Sequence, residues 1–118
     1  MFQYPATVSR VVDGDTLWLD VDLGFRTHVQ VDVRLARINA PEVVEFTAQG
    51  IEDRSRMFIE MVLPPGSMCV ANITKPDKYG RWLADVIYLQ GVSDRERIAR
   101  EGKSLNDELL TRGLAKPY

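Results

Sequence analysis

Three runs of near period-two alternation open the chain in close succession: ATVSRVV (6–12), TLWLDVDL (16–23) and THVQVDVRLARI (27–38). Such alternation sends successive side chains to opposite faces of a strand, and Val, Thr and Leu suit a pleated, half-buried surface. Gly and Asp punctuate the gaps, so the runs read as three consecutive antiparallel strands. In the third, Val29, Val31, Val33 and Leu35 share one face, while His28, Gln30, Asp32 and Arg34 share the other. Arg34 therefore points away from the core.

The pattern then changes period. In TAQGIEDRSRMFIEMVL (47–63), Ile51, Ser55, Phe58 and Val62 recur along one helical stripe, and PPG (64–66) stops it. An amphipathic helix of about four turns is expected there. SMCVANIT (67–74) and RWLADVIYL (81–89) return to strand character across the turn KPDKYG. SDRERIAREG places Ser93 and Glu96 in capping-box spacing and ends on Gly102, predicting a two-turn helix. SLNDELLTRGL predicts another, capped by Ser104, with Leu105 and Leu109 one turn apart and Gly113 as the stop. Five strands and two to three helices fit an α+β arrangement, a five-stranded OB-type β-barrel with the helices packed outside.

At 118 residues the chain has the length of one domain, 1–118. Its 45% hydrophobic and 27% charged residues are those of an ordinary globular protein, and a monomer is expected. No apolar run approaches the roughly 18 residues that cross a bilayer, and MFQYPATVSR has no basic segment followed by an apolar one. A cytoplasmic protein is expected from the chain as written, and a secreted one if it is a mature form; no membrane partner is expected. The lone Cys69, within MCVANI, reads as a core residue rather than a reactive thiol. A net charge of −2 argues against broad electrostatic clamping of duplex DNA. The acid is concentrated early, with nine Asp or Glu against six Arg or Lys over residues 1–59.

Three short stretches could carry chemistry, and each has a plainer alternative. VVDGDTLWL sets Asp13 and Asp15 around Gly14, which by itself suits a tight hairpin turn. VRLARINAPE carries Arg34 and Arg37 toward Asn39 and Glu42, alternatively a solvated strand face and a Pro-fixed turn. DKYGR ends in Arg81 and by itself is a charged hairpin rim. Together they supply an acid for a hard cation, arginines for phosphate oxygens and a carboxylate to engage water, which is what phosphodiester cleavage requires. Without a Cys or His cluster, an oxygen-only site suits Ca²⁺ or Mg²⁺ rather than zinc. His28 reads as an exposed strand residue, and Trp18 and Trp82 as packing residues beside apolar neighbours.

VVDGDTLWL, VRLARINAPE, DKYGRWLADV and SLNDELLTRGLAKPY resemble, in this order and at comparable spacing, the staphylococcal nuclease (thermonuclease) family. The resemblance spans nearly the whole chain. It implies an OB-type barrel and a Ca²⁺-dependent phosphodiesterase on DNA and RNA that leaves 3′-phosphate ends, with Mg²⁺ a weaker candidate. Position by position, it implies Asp15 as metal-binding acid, Ala40 as donor of a metal-contacting backbone carbonyl, Arg34 and Arg81 as phosphate-binding arginines, and Glu42 as general base. Asn39 departs from the pattern, standing where the second carboxylate ligand is usual. An amide oxygen can still face Ca²⁺ but brings no charge, so weakened metal binding is expected. Tyr79 and Tyr118 are candidates for stacking on bases of single-stranded or locally melted nucleic acid. The competing expectation is a barrel that binds nucleic acid or protein but has lost hydrolysis, with Asn39 as the lesion.

Overall fold

The computed structural model describes residues 2–40, 44–47, 50–76 and 78–118. Three long strands come first, β1 (Phe2–Asp13), β2 (Thr16–Asp22) and β3 (His28–Leu35), followed by the two-residue β4 (Ile38–Asn39). A hairpin of β5 (Val44–Thr47) and β6 (Gly50–Asp53) leads into helix α1 (Arg54–Val62). β7 (Met68–Pro76) and β8 (Trp82–Tyr88) complete the long strands. Helix α2 (Arg95–Glu101), β9 (Lys103–Ser104), helix α3 (Leu105–Thr111) and β10 (Lys116–Pro117) follow.

The long strands run in the order β3-β2-β1-β7-β8, and β3 pairs with β8 to close a five-stranded barrel with the three helices outside it. The closing pair is parallel (Val33↔Trp82, Arg34↔Leu83, Leu35↔Ala84), whereas its neighbours in the barrel are antiparallel. β1 makes closure possible. Its first half pairs with β7 from Phe2 to Thr7, its second with β2 from Ala6 to Asp13, and the register shifts between Val8 and Arg10. A bulge of that kind bends a strand and increases its twist, letting one strand serve two walls.

Inward residues of every wall fill the barrel: Val8 and Val11, Leu17 and Leu19, Val33 and Leu35, Cys69 and Ala71, and Ala84 and Val86 are all buried. Burial pushes the Cys69 thiol up to about 12, consistent with a core residue. Ile59 of α1 and Leu105 and Leu109 of α3 are fully buried against this core. Each such side chain contributes about 2 kcal/mol by leaving water, which anchors the helices far more firmly than their surface ion pairs.

Four departures from the sequence expectation have local causes. The helix expected over 47–63 occupies only Arg54–Val62, because Gly50–Asp53 pairs with Val44–Thr47 and the Asp53 side chain then caps α1, accepting from the Ser55 and Arg56 N–H groups at 2.9 and 3.2 Å. The cap of α2 is Asp94 rather than Ser93, with its carboxylate accepting from Glu96 and Arg97. The strand expected over 27–38 breaks at Ala36–Arg37, where Arg37 takes a left-handed φ of 67°, so that Ile38–Asn39 can pair with Lys116–Pro117. Trp82 is 42% exposed at the start of β8 rather than packed. The last helix ends as expected: Gly113, at φ 71°, donates to the Leu110 carbonyl while Leu114 donates to that of Leu109, the Schellman arrangement that favours glycine.

Candidate active site

Barrel closure brings three sequence-distant stretches together. Arg34 is the register partner of Thr16 on one side and of Leu83 on the other. Asp15 precedes Thr16, and Arg81 lies two residues before Leu83, so the acid and both arginines emerge at one end of three adjacent strands. The β1–β2 turn is as tight as DGD suggests, with Asp13 pairing directly with Thr16. Glycine is required in it: a Cβ on Gly14 would stand 2.6 Å from the Ser55 Cβ and 2.9 Å from the Ala40 Cβ. The turn is thus pressed between α1 and the segment that follows β4, which fixes Asp15 relative to Ala40.

Asp15 is held by a dense set of contacts. Its backbone N–H donates to Asp13 Oδ1 at 3.0 Å, Thr16 Oγ1 donates to its Oδ1 at 3.1 Å, and the Ala40 N–H approaches its Oδ2 at 3.4 Å. Its carbonyl accepts from the Leu35 N–H at 2.8 Å, tying the turn to the end of β3. Arg34 Nη2 lies 3.9 Å from Asp15 Oδ2, with the two side chains only 12% and 16% exposed. That distance is at the limit of an ion pair, and it does not offset burial. The Asp15 carboxyl is held above the ordinary carboxylate range, by burial first and then by the hydrogen bond and charge of Asp13, while Ala40 N–H and the Thr16 hydroxyl pull it down.

Arg81 Nη1 reaches Thr16 Oγ1 at 3.5 Å, and its guanidinium carbon sits 5.6 Å from the centre of the Tyr79 ring. Arg34 carries the Tyr118 ring 4.8 Å from its guanidinium carbon. Both tyrosines are largely exposed. A cavity of about 910 Å³ opens over these groups, lined by Asp15, Arg34, Asn39, Tyr79, Arg81 and Tyr118, and also by Asn72, Thr74, Lys78, Leu83 and Asp85. The structure therefore gathers Asp15, Arg34, Asn39, Tyr79, Arg81 and Tyr118, with Ala40 adjacent through Asp15. Glu42 lies outside the described residues.

A family model for staphylococcal nuclease homologues matches residues 32–118. The chain belongs to that family. No curated protein matches it. For a staphylococcal nuclease homologue the matched span takes in Arg34, Asn39, Ala40, Glu42, Arg81 and both cavity tyrosines, but starts after Asp15. What connects Asp15 to the matched site is the β2–β3 register, which sets Thr16 opposite Arg34.

The residues that could hold a metal here would suit a hard cation. Among the described residues no group of three or more His, Cys, Asp or Glu could hold a metal. Asp15, the amide oxygen of Asn39 and the Ala40 carbonyl are all oxygen donors, as Ca²⁺ and Mg²⁺ prefer, and water and substrate oxygens would complete the shell. A single carboxylate among them means weak charge compensation.

Two further residues shape this staphylococcal nuclease homologue's site without any local signal in the sequence. Asn106, fully buried on α3, accepts from Val86 N–H at 3.1 Å and donates to the carbonyls of Ala36 and Ala84 at 2.8 and 3.1 Å. It thereby ties the end of β3 and the middle of β8 to one helix. Arg37, which lines the cavity with Asp85, bridges Asp85 and Asp107. The spacing in SLNDELL marks only a helix, and Arg37 reads as one more solvated arginine.

Proposed function

We propose that the chain is a metal-dependent nuclease hydrolysing phosphodiester bonds of single-stranded or locally melted DNA or RNA and leaving 3′-phosphate ends. The observation that carries this reading is the meeting of two arginines and one half-buried acid on one cavity: Arg34 beside Asp15, and Arg81 at the hydroxyl of Thr16, the residue after Asp15. Guanidinium forks match phosphate oxygens in pairs, and positive charge set where negative charge grows lowers the barrier of phosphoryl transfer. Asp15, with the Asn39 amide and the Ala40 carbonyl, would hold Ca²⁺, which would neutralise phosphate charge and orient the scissile group. Glu42 takes the role of base, accepting the proton of the water that attacks phosphorus as the P–O5′ bond breaks, and the departing O5′ takes up a proton from solvent to leave as a 5′-hydroxyl. Exposed Tyr79 offers a face on which an unpaired base stacks.

A second reading has one observation in its favour: Asn39, an amide, lines the cavity where a second carboxylate would bring charge to a metal at Asp15. In that case the barrel binds nucleic acid through the same cavity without cutting it. Incubation of the protein with end-labelled single-stranded DNA in Ca²⁺, Mg²⁺ or EDTA, with product ends identified, separates the two. The nuclease reading expects cation-dependent cleavage to 3′-phosphate ends, and a loss of about 10²–10³ in rate for Arg81→Ala. Cleavage persisting in EDTA overturns the metal-dependent mechanism; binding with no cleavage under any cation selects the binding module.

A further inference from the structure

Arg37 occupies a place that suits glycine. Its φ of 67° is left-handed, a conformation disfavoured for any residue with a Cβ, and it forms the turn between β3 and β4. The side chain offers the reason for an arginine there. Its Nη2 donates to Asp85 Oδ2 on β8 at 2.6 Å and to Asp107 Oδ1 on α3 at 3.2 Å. Asp85 Oδ1 accepts from Ser104 Oγ at 2.7 Å, and that hydroxyl in turn accepts from the Asp107 N–H at 3.2 Å. Isolated surface ion pairs contribute little, but here one guanidinium closes a ring of contacts over a turn, a strand and a helix cap.

The backbone of the same residue faces the site. The Arg37 carbonyl accepts from the Tyr118 N–H at 3.0 Å, continuing the pairing of Ile38–Asn39 with Lys116–Pro117. The ring of Tyr118 then lies over Arg34. A ring on the flat face of a guanidinium restrains its plane yet leaves the in-plane N–H groups free for phosphate oxygens. We propose that Arg37 is a positioning residue: its grip on Asp85 and Asp107 holds the β3–β4 turn so that its carbonyl keeps Tyr118 stacked on Arg34. The kinetic part of this inference rests on the nuclease reading above; the structural part does not.

The test compares the full chain with Tyr118→Leu, Arg37→Gly and Arg37→Lys, reading the Arg34 δ-CH₂ resonances by NMR and the steady-state cleavage of single-stranded DNA. Loss of the aromatic ring in Tyr118→Leu moves the Arg34 resonances downfield. Arg37→Gly, which relieves the backbone but removes the ion pairs, moves them the same way, and Arg37→Lys restores part of the shift. In Arg37→Gly kcat falls about tenfold with KM within about twofold, as expected for a misoriented transition-state contact. Arg34 resonances unchanged in Arg37→Gly, or unmoved by Tyr118→Leu, overturn the proposal. So does a rise in KM at constant kcat, which would make Arg37 itself a substrate contact. Absence of cleavage by the unaltered chain counts against the nuclease reading alone, because the resonances still decide the positioning role.

Discussion

Asp15 carries two opposed demands. Under the proposed nuclease function it would have to be ionised to face a cation, yet burial and the neighbouring Asp13 hold its carboxyl above the ordinary value of 3.8. A carboxyl with a raised folded pKa binds protons more tightly in the native state than in the unfolded one. Between the unfolded and folded values the native state therefore holds the extra proton, and stability falls as pH rises through that window. Above it the cost is fully present. Asp15→Asn is accordingly expected to raise the neutral-pH denaturation midpoint of the metal-free protein and flatten its dependence on pH through that window, while abolishing cleavage. Denaturant melts at several pH values check it, and a destabilised variant at pH 7 would contradict the account. Asn39 poses the complementary case. It lines the cavity with an amide where a charge would help, so Asn39→Asp should bind Ca²⁺ about tenfold or more tightly by calorimetric titration, and equal affinity would show that Asn39 is not a ligand. Asp15, Arg34 and Arg81 are legible in the sequence because each sits beside its own turn or strand-end signature. Arg37 is not, since its partners lie 48 and 70 residues further on.

At the scale of elements, the strands were readable and the connections less so. Period-two alternation reflects burial of one strand face and survives intact in the second half of β3, where Val33 and Leu35 are buried beneath a half-buried Arg34. Helical spacing, by contrast, reports only which residues could share a stripe. Ser55, Phe58 and Val62 do share the buried face of α1, but a cap at Asp53 decides where the helix begins. Asn106 illustrates a determinant that local pattern does not expose. Its side chain serves one N–H and two carbonyls inside the protein, so Asn106→Ala strands three backbone groups at once and should destabilise the chain by about 3 kcal/mol. Because two of those groups, Ala36 and Ala84, lie just past β3 and within β8, the strands that carry and brace Arg34, the same variant should also lose cleavage below its melting temperature. Calorimetric melting paired with a rate measurement tests both halves, and a change under about 0.5 kcal/mol would show that water replaces the amide without penalty.

For the whole molecule, charge and closure together determine how a polyanion can approach. The net charge is −2, and among the described residues the cavity gathers Arg34, Arg37, Lys78 and Arg81 together with Asp15 and Asp85, with Arg37 bridging Asp85 and Asp107 and Arg34 lying 3.9 Å from Asp15. The five barrel strands were legible from pattern, unlike the short β4, β5, β6, β9 and β10, but the three-residue parallel pair that closes β3 on β8 was not, because nothing local in either strand names the other. That pair is what concentrates positive charge at one barrel end of an otherwise slightly acidic protein. If Arg34, Lys78 and Arg81 are the cations that meet phosphates, binding of a single-stranded oligonucleotide should weaken with salt at a log–log slope of about −2. Fluorescence anisotropy titrations at several KCl concentrations give that slope directly. A slope steeper than about −4 would require more cations than the cavity holds, drawing in the exposed Arg95, Arg97 and Arg100 of α2 and moving the path of the nucleic acid off the site. A slope near zero would mean that no phosphate is neutralised there, and with it the arrangement of Arg34 and Arg81 around Asp15 would lose its chemical purpose.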